Sequence, residues 1–157
     1  MAAGAQSHSA PFLAGAGLRF QKTALVYARV ALAAAFLSSV ADRFGFWGPP
    51  GEFGVSWGNW KSFVATVAYM NPFLPRSAAP ILSVIVTCLE LGLATLLLLG
   101  VWRREVAAAC SALLFLFATS LAVFVGVKTA LAYSVYSASA AALLLALASP
   151  CGKEGAS

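Results

Sequence analysis

The chain has 157 residues, of which 61% are hydrophobic and only 10% charged, and its formal net charge is +5. With a mean hydropathy of +0.88, it lies outside the range of soluble globular domains and belongs in a membrane. Its basic residues stand mostly beside apolar runs, where they set topology and touch anionic lipid, so the positive charge does not indicate a nucleic-acid partner.

Taken in chain order, residues 1–22 read as a flexible cytoplasmic tail that begins MAAGAQSHSA and carries the only histidine, His8. The first span is TALVYARVALAAAFLSSVA, residues 23–41, entered from Arg19 and Lys22 and closed by Asp42 and Arg43. A rival reading makes this stretch a cleaved signal peptide, because Ser39, Val40 and Ala41 before Asp42 resemble a processing site. Arg29, inside the apolar run, and the length of the stretch argue against it.

The long connection that follows is rich in Gly and Pro in its first half. In its second half Trp60, Phe63, Val64 and Val67 repeat at helical spacing behind a cap at Asn59, until Asn71 and Pro72 end the run. This segment is too short to span, and its aromatic residues favour the headgroup level, so a short interfacial or re-entrant helix is expected. The second span runs from about Ser77 to Gly100, the third from Glu105 to Gly126 and the fourth from Thr129 to Ser149; Pro150 opens a short tail, residues 150–157. A helix needs about 20 apolar residues to cross the hydrocarbon core, so the expected fold is an all-α, antiparallel four-helix membrane domain over residues 23–149.

Lysine and arginine in the flanks set the orientation. Arg19, Lys22, Arg103, Arg104 and Lys153 lie on one side, against Arg43, Lys61, Arg76 and Lys128 on the other. The Arg103-Arg104 pair in a tight turn places both termini in the cytoplasm of a bacterial inner membrane, with the aromatic loop outside. Cys88, Cys110 and Cys151 show no CxxC spacing, and no span contains a histidine. A dithiol mechanism, an intramembrane haem and a metal cluster therefore have no residues to run on, and no metal site is expected.

Charged residues inside a span cost roughly 2.5–3.5 kcal/mol at the bilayer centre, so they usually face the bundle interior and find partners. Arg29 and Glu90 are the two such residues. With helix 1 and helix 2 antiparallel, their heights differ by roughly 6 Å at about 1.5 Å per residue, which an arginine can bridge; an intramembrane Arg29–Glu90 pair is expected. Ser83, Thr87, Glu90 and Ala94 share one small or polar face, and Ala33, Phe36 and Val40 continue the row from Arg29. In the third span Ala108, Ser111, Phe115, Ala118 and Ala122 form a stripe suited to close helix contact. The fourth adds Tyr133 and Ser137 on one face and Tyr136 and Ser139 on the next. Two accounts of Arg29 and Glu90 stand side by side: a structural lock, or a working site at which a carboxylate holds or carries a proton.

The blocks VADRFGFWGPPG, SWGNW with NPFLP, TCLELGLATLLLLG and KTALAYSVYSASAAALLLA, in that order over residues 23–148, resemble the DoxX family of small four-helix membrane proteins. The resemblance implies a link to quinone-dependent membrane redox systems. On this reading the protein is an accessory subunit of a quinone-linked redox system, without catalytic activity alone, that binds a quinone headgroup non-covalently. Glu90 and Arg29 would hold the headgroup, with Thr87, Trp57, Asn59, Trp60, Tyr133 and Ser137 lining the site. Electrons would come from a partner redox protein, because the chain has no haem, flavin or metal motif of its own. The alternatives are a non-enzymatic scaffold or assembly chaperone and, less favoured by the sequence, a proton-coupled transporter that four helices could form only as a homo-oligomer.

Overall fold

The computed structural model describes residues 10–149, and side-chain burial from Gly17 onward. The expectations for the two tails fall outside this range, except that residues 10–22, read as tail, are helical. The described residues form six helices and no strand: α1 (Ala10–Arg43), α2 (Trp60–Met70), α3 (Ala78–Leu99), α4 (Arg103–Phe124), α5 (Val127–Ala132) and α6 (Val135–Ala148). Three segments, Gly17–Arg43, Ala78–Leu99 and Arg103–Phe124, are long and apolar enough to cross a membrane; Val135–Ala148 is apolar but shorter.

Each long helix buries one stripe and leaves large apolar side chains on its outer surface, among them Ile81, Val84, Ile85 and Leu89 on α3 and Leu116 and Val123 on α4. In water such a surface would be an aggregation hazard; in lipid it is the solvated face. The protein is a multi-pass membrane protein.

The main core joins Leu32, Ala33 and Phe36 of α1, Ala94 and Leu97 of α3, Val106, Ala107 and Cys110 of α4, and Ala142, Leu145 and Ala146 of α6. So many alanines at the contacts let the backbones approach closely, which is how helices associate where lipid is as apolar as the side chains. α1 packs chiefly on α3 and α4 chiefly on α6. The α4–α6 contact is tied by Ser111 and Ser139, whose hydroxyls donate to each other's backbone carbonyls at 2.9 and 2.8 Å. Of the stripe expected on α4, Ser111 and Ala118 are buried, while Ala108 and Phe115 are exposed. Val106, Ala107 and Cys110 take the buried places, so the inward face is rotated from the one expected.

The expected fourth span is broken. Its helix stops at Ala132, Ser134 takes a left-handed backbone (φ 55°), and α6 restarts at Val135. Neither proline nor glycine marks the break.

α2 has the bounds its sequence announces. The Asn59 side chain accepts from the Ser62 backbone N–H at 2.8 Å, and Asn71 closes the other end. Its buried residues Phe63 and Val67 pack on Ala79 near the start of α3, forming a second, smaller core with Trp57 and Trp60.

Candidate functional site

The buried charges meet where the end of α1 lies against the middle of α3. On α1, Arg29, Ala33, Phe36, Val40 and Arg43 succeed one another in steps of four and three, so Arg43 is the next member of the row that begins at Arg29. Helical side chains lean toward the N-terminus. Arg43 accordingly turns back beside Ser39, whose Oγ accepts from Nη2 at 3.3 Å, and reaches across to α3. There Nη2 pairs with Glu90 Oε2 at 2.6 Å, and Nη1 donates to Thr87 Oγ1 at 2.7 Å. Thr87 in turn donates to the Ser83 carbonyl at 2.8 Å. Arg43 is 0% exposed and Glu90 2%.

Aromatic rings close the remaining side. The Arg43 guanidinium carbon lies 3.9 Å from the centroid of the Phe63 ring and 5.3 Å from that of Trp57, within cation–π range. The two rings meet edge to face, with centroids 5.0 Å apart. Arg43 Nε is buried without a hydrogen-bond partner.

Asp42, also buried, shapes the roof over this pair. Its Oδ2 accepts from the backbone N–H groups of Ser56 and Trp57, both at 3.0 Å, and its Oδ1 from Gly58 at 3.4 Å. Gly58 has a left-handed backbone (φ +64°), and any β-carbon there would collide with the Pro49-Pro50 backbone. The aromatic loop is thus tied to the residue beside Arg43, and α2 follows directly from it.

The expected pairing of Arg29 with Glu90 is not the one formed. Arg29 donates from Nε and Nη2 to the Leu97 carbonyl, at 2.9 and 2.5 Å, and from Nη2 to Leu98 at 3.3 Å, so it caps the last turn of α3. Leu97 is about 10 Å from Glu90 along the helix at about 1.5 Å per residue. The expectation aligned the first turn after Thr23 with the end of α3; in the fold Arg29 itself is level with that end, and Arg43 is the arginine within reach of Glu90. A cation against free helix-end carbonyls is a favourable arrangement in its own right.

Of the other residues assigned to a site, Thr87 joins the Arg43 cluster. Trp57 and Trp60 are half-buried in aromatic packing, Trp60 stacking on Phe44 with centroids 5.7 Å apart, and Asn59 is taken up by its cap. Tyr133 and Ser137 are exposed on the surface and are not brought to Glu90. Arg43 and Asp42, read from sequence as the closing charges of the first span, form the centre of the site; the row in steps of four and three was the signal for Arg43. Among the described residues, no three His, Cys, Asp or Glu side chains come together as metal ligands.

A cavity of about 590 Å³ lies between α2, the start of α3 and the end of α4. Its walls include Val67, Ala79, Leu82 and Phe124, with Asn71 and Arg76 as polar members.

A family model described as methylamine utilisation protein MauE matches residues 21–133. This match overturns the resemblance to DoxX, which is a different membrane family. No curated protein and no solved structure matches the chain.

Proposed function

The chain belongs to the MauE family, and from that premise we propose that it is a non-catalytic membrane accessory subunit of a redox system serving methylamine utilisation. Oxidising methylamine with water to formaldehyde and ammonia releases two electrons and two protons, so such a system needs electron-carrying proteins. This chain would hold or mature one of them at the membrane. The observation that carries the reading is the closure of the Arg43–Glu90 pair. Both groups are shut off from solvent and packed under Phe63 and Trp57, as suits a latch fixing α1, α3 and the aromatic loop into one surface. Buried pairs of this kind set geometry more than they add stability.

In this reading the chain crosses the inner membrane four times, α5 and α6 together making the last crossing. Arg43 is consumed by its ion pair, so Lys61, Arg76 and Lys128 remain on the loop side against Arg19, Lys22, Arg103 and Arg104 opposite. That supports cytoplasmic termini by the positive-inside rule and leaves the aromatic loop outside for a partner.

The test is genetic and biochemical together. Deleting the gene is expected to abolish growth on methylamine. Wild type should restore it, and so should the apolar pair Arg43→Met with Glu90→Leu, and a redox protein should co-purify from the membranes. Unimpaired growth of the deletion strain would refute the methylamine assignment. A double variant that inserts and folds but does not restore growth would make Arg43 and Glu90 a working site.

A second reading, that a quinone headgroup binds, has support in the cavity beside α2. Its volume of about 590 Å³ lies within the usual range for small-molecule sites, roughly 300–1,000 Å³, and Asn71 or Arg76 could donate to a quinone carbonyl. Saturable quenching of tryptophan fluorescence by a short-chain quinone, weakened by Asn71→Ala, is expected; its absence in the wild type removes this reading.

A further inference from the structure

At the opposite end of the bundle, a second cavity of about 260 Å³ opens between α1, the α3–α4 turn and the end of α6. It is lined by Lys22, Leu25, Val26, Arg29, Arg103 and Ser149. Three cations thus border one small space, with no carboxylate among the described residues of the lining. Two of them are held in place by backbone carbonyls: Arg29 by Leu97 and Leu98, and Arg103 through Nε by Gly100 at 3.1 Å. Arg29 Nη1, both Nη atoms of Arg103 and the Lys22 ammonium make no hydrogen bond within the described residues. The α3 carbonyls offset part of the Arg29 charge, but they leave those donors free. Spare donors on fixed guanidinium groups suit the oxygens of a phosphate.

The remaining wall decides what carries that phosphate. Leu25 and Val26 lie beside the cations, and Val26, with Tyr27 and Val30 next to it on α1, is an exposed apolar side chain of a membrane-crossing segment. A soluble anion would have nothing to place there; a lipid would place its glycerol and acyl chains.

The geometry points to a binding site for the phosphate headgroup of an anionic phospholipid, gripped by Lys22, Arg29 and Arg103 with its chains along Leu25 and Val26. The site is independent of the Arg43–Glu90 cluster and of the methylamine assignment. Basic pockets between membrane helices take such headgroups, and a charge near the surface contributes about 1 kcal/mol, which is about five-fold in affinity.

The experiment is native mass spectrometry of the full-length protein in detergent, with phosphatidylglycerol, phosphatidylcholine or inorganic phosphate added. The wild type is expected to retain phosphatidylglycerol over phosphatidylcholine, and millimolar inorganic phosphate should not displace it. Arg103→Gln and Lys22→Gln should each lower phosphatidylglycerol retention by about five-fold and leave phosphatidylcholine unchanged. Arg103→Lys, which keeps the charge, should retain most of the preference. Equal retention of the two lipids, displacement by inorganic phosphate, or glutamine variants that fold and bind like the wild type would each overturn the proposal. If both glutamine variants fail to fold, the lipid preference of the wild type decides.

Discussion

Arg43, at the last turn of α1, and Glu90, in the middle of α3, form a 2.6 Å ion pair, with Thr87 as a second acceptor for the arginine. Two groups that are each expensive in lipid thereby neutralise each other, with aromatic rings, rather than a further acceptor, packed around an Arg43 guanidinium whose Nε has no hydrogen-bond partner. Removing one partner strands the other. Arg43→Met or Glu90→Leu alone should destabilise the bundle by about 3–5 kcal/mol, while the double change should come close to wild type. Unfolding by SDS titration in mixed micelles measures all three; a double variant as weak as the singles would show that the pair is not a self-contained unit.

Gly100 leaves the space that the Arg29 guanidinium fills. Its backbone is left-handed (φ +70°), and an added β-carbon would collide with the Arg29 guanidinium. Gly100→Ala should cost about 1–2 kcal/mol in backbone strain plus whatever Arg29 loses on moving. In an Arg29→Ala background only the strain should remain. A double-mutant cycle separates the two contributions, and strict additivity would mean that the contact has no weight.

Asp42 collects three backbone N–H groups of the aromatic loop. Asp42→Ala leaves those donors without their acceptor, at about 1–3 kcal/mol for each that stays buried. Loosening of the loop should show as faster proteolysis between Phe44 and Asn59 and a red-shifted tryptophan emission, with the α4–α6 contact unaffected. A loop as protease-resistant as wild type would mean that Pro49, Pro50 and the rings hold it without Asp42.

The reciprocal bonds of Ser111 and Ser139 make a further cycle. Interhelical hydrogen bonds of this kind couple by about 0.6 kcal/mol on average and about 1.7 at most. Ser111→Ala and Ser139→Ala are expected near the upper part of that range, because both hydroxyls are buried and each donates to the other residue's carbonyl. A coupling near zero would assign the contact to packing by the neighbouring alanines.

Orientation is open to labelling. In a background free of cysteine, Phe53→Cys in the loop should react with a membrane-impermeant maleimide from the outside of intact cells, and Arg104→Cys only after lysis. The reverse pattern would invert the topology proposed from the flanking charges.

Much of this was legible in the residues themselves. Membrane residence followed from composition, α2 from an asparagine cap and a row at helical spacing, and the inward face of α3 from Ser83, Thr87, Glu90 and Ala94, all of which are buried. These are local properties: hydropathy, caps and the 3.6-residue period depend on neighbours within a few turns. The sequence also showed that Glu90 needs a cation. Which cation was a tertiary decision, because the height of α1 against α3 is set by the packing of Ala33, Phe36, Ala94 and Leu97 across helices far apart in the chain. A shift of two turns moves the match from Arg29 to Arg43 and makes a helix cap of the first. The break at Ser134 and the exposure of Tyr133 and Ser137 were likewise unwritten in any local signal, since hydroxyl and aromatic residues are tolerated in a helix and no proline or glycine stands there. The sequence determined that a buried charge must be neutralised; only the docking of the helices determined by which residue, because that depends on distance and not on type.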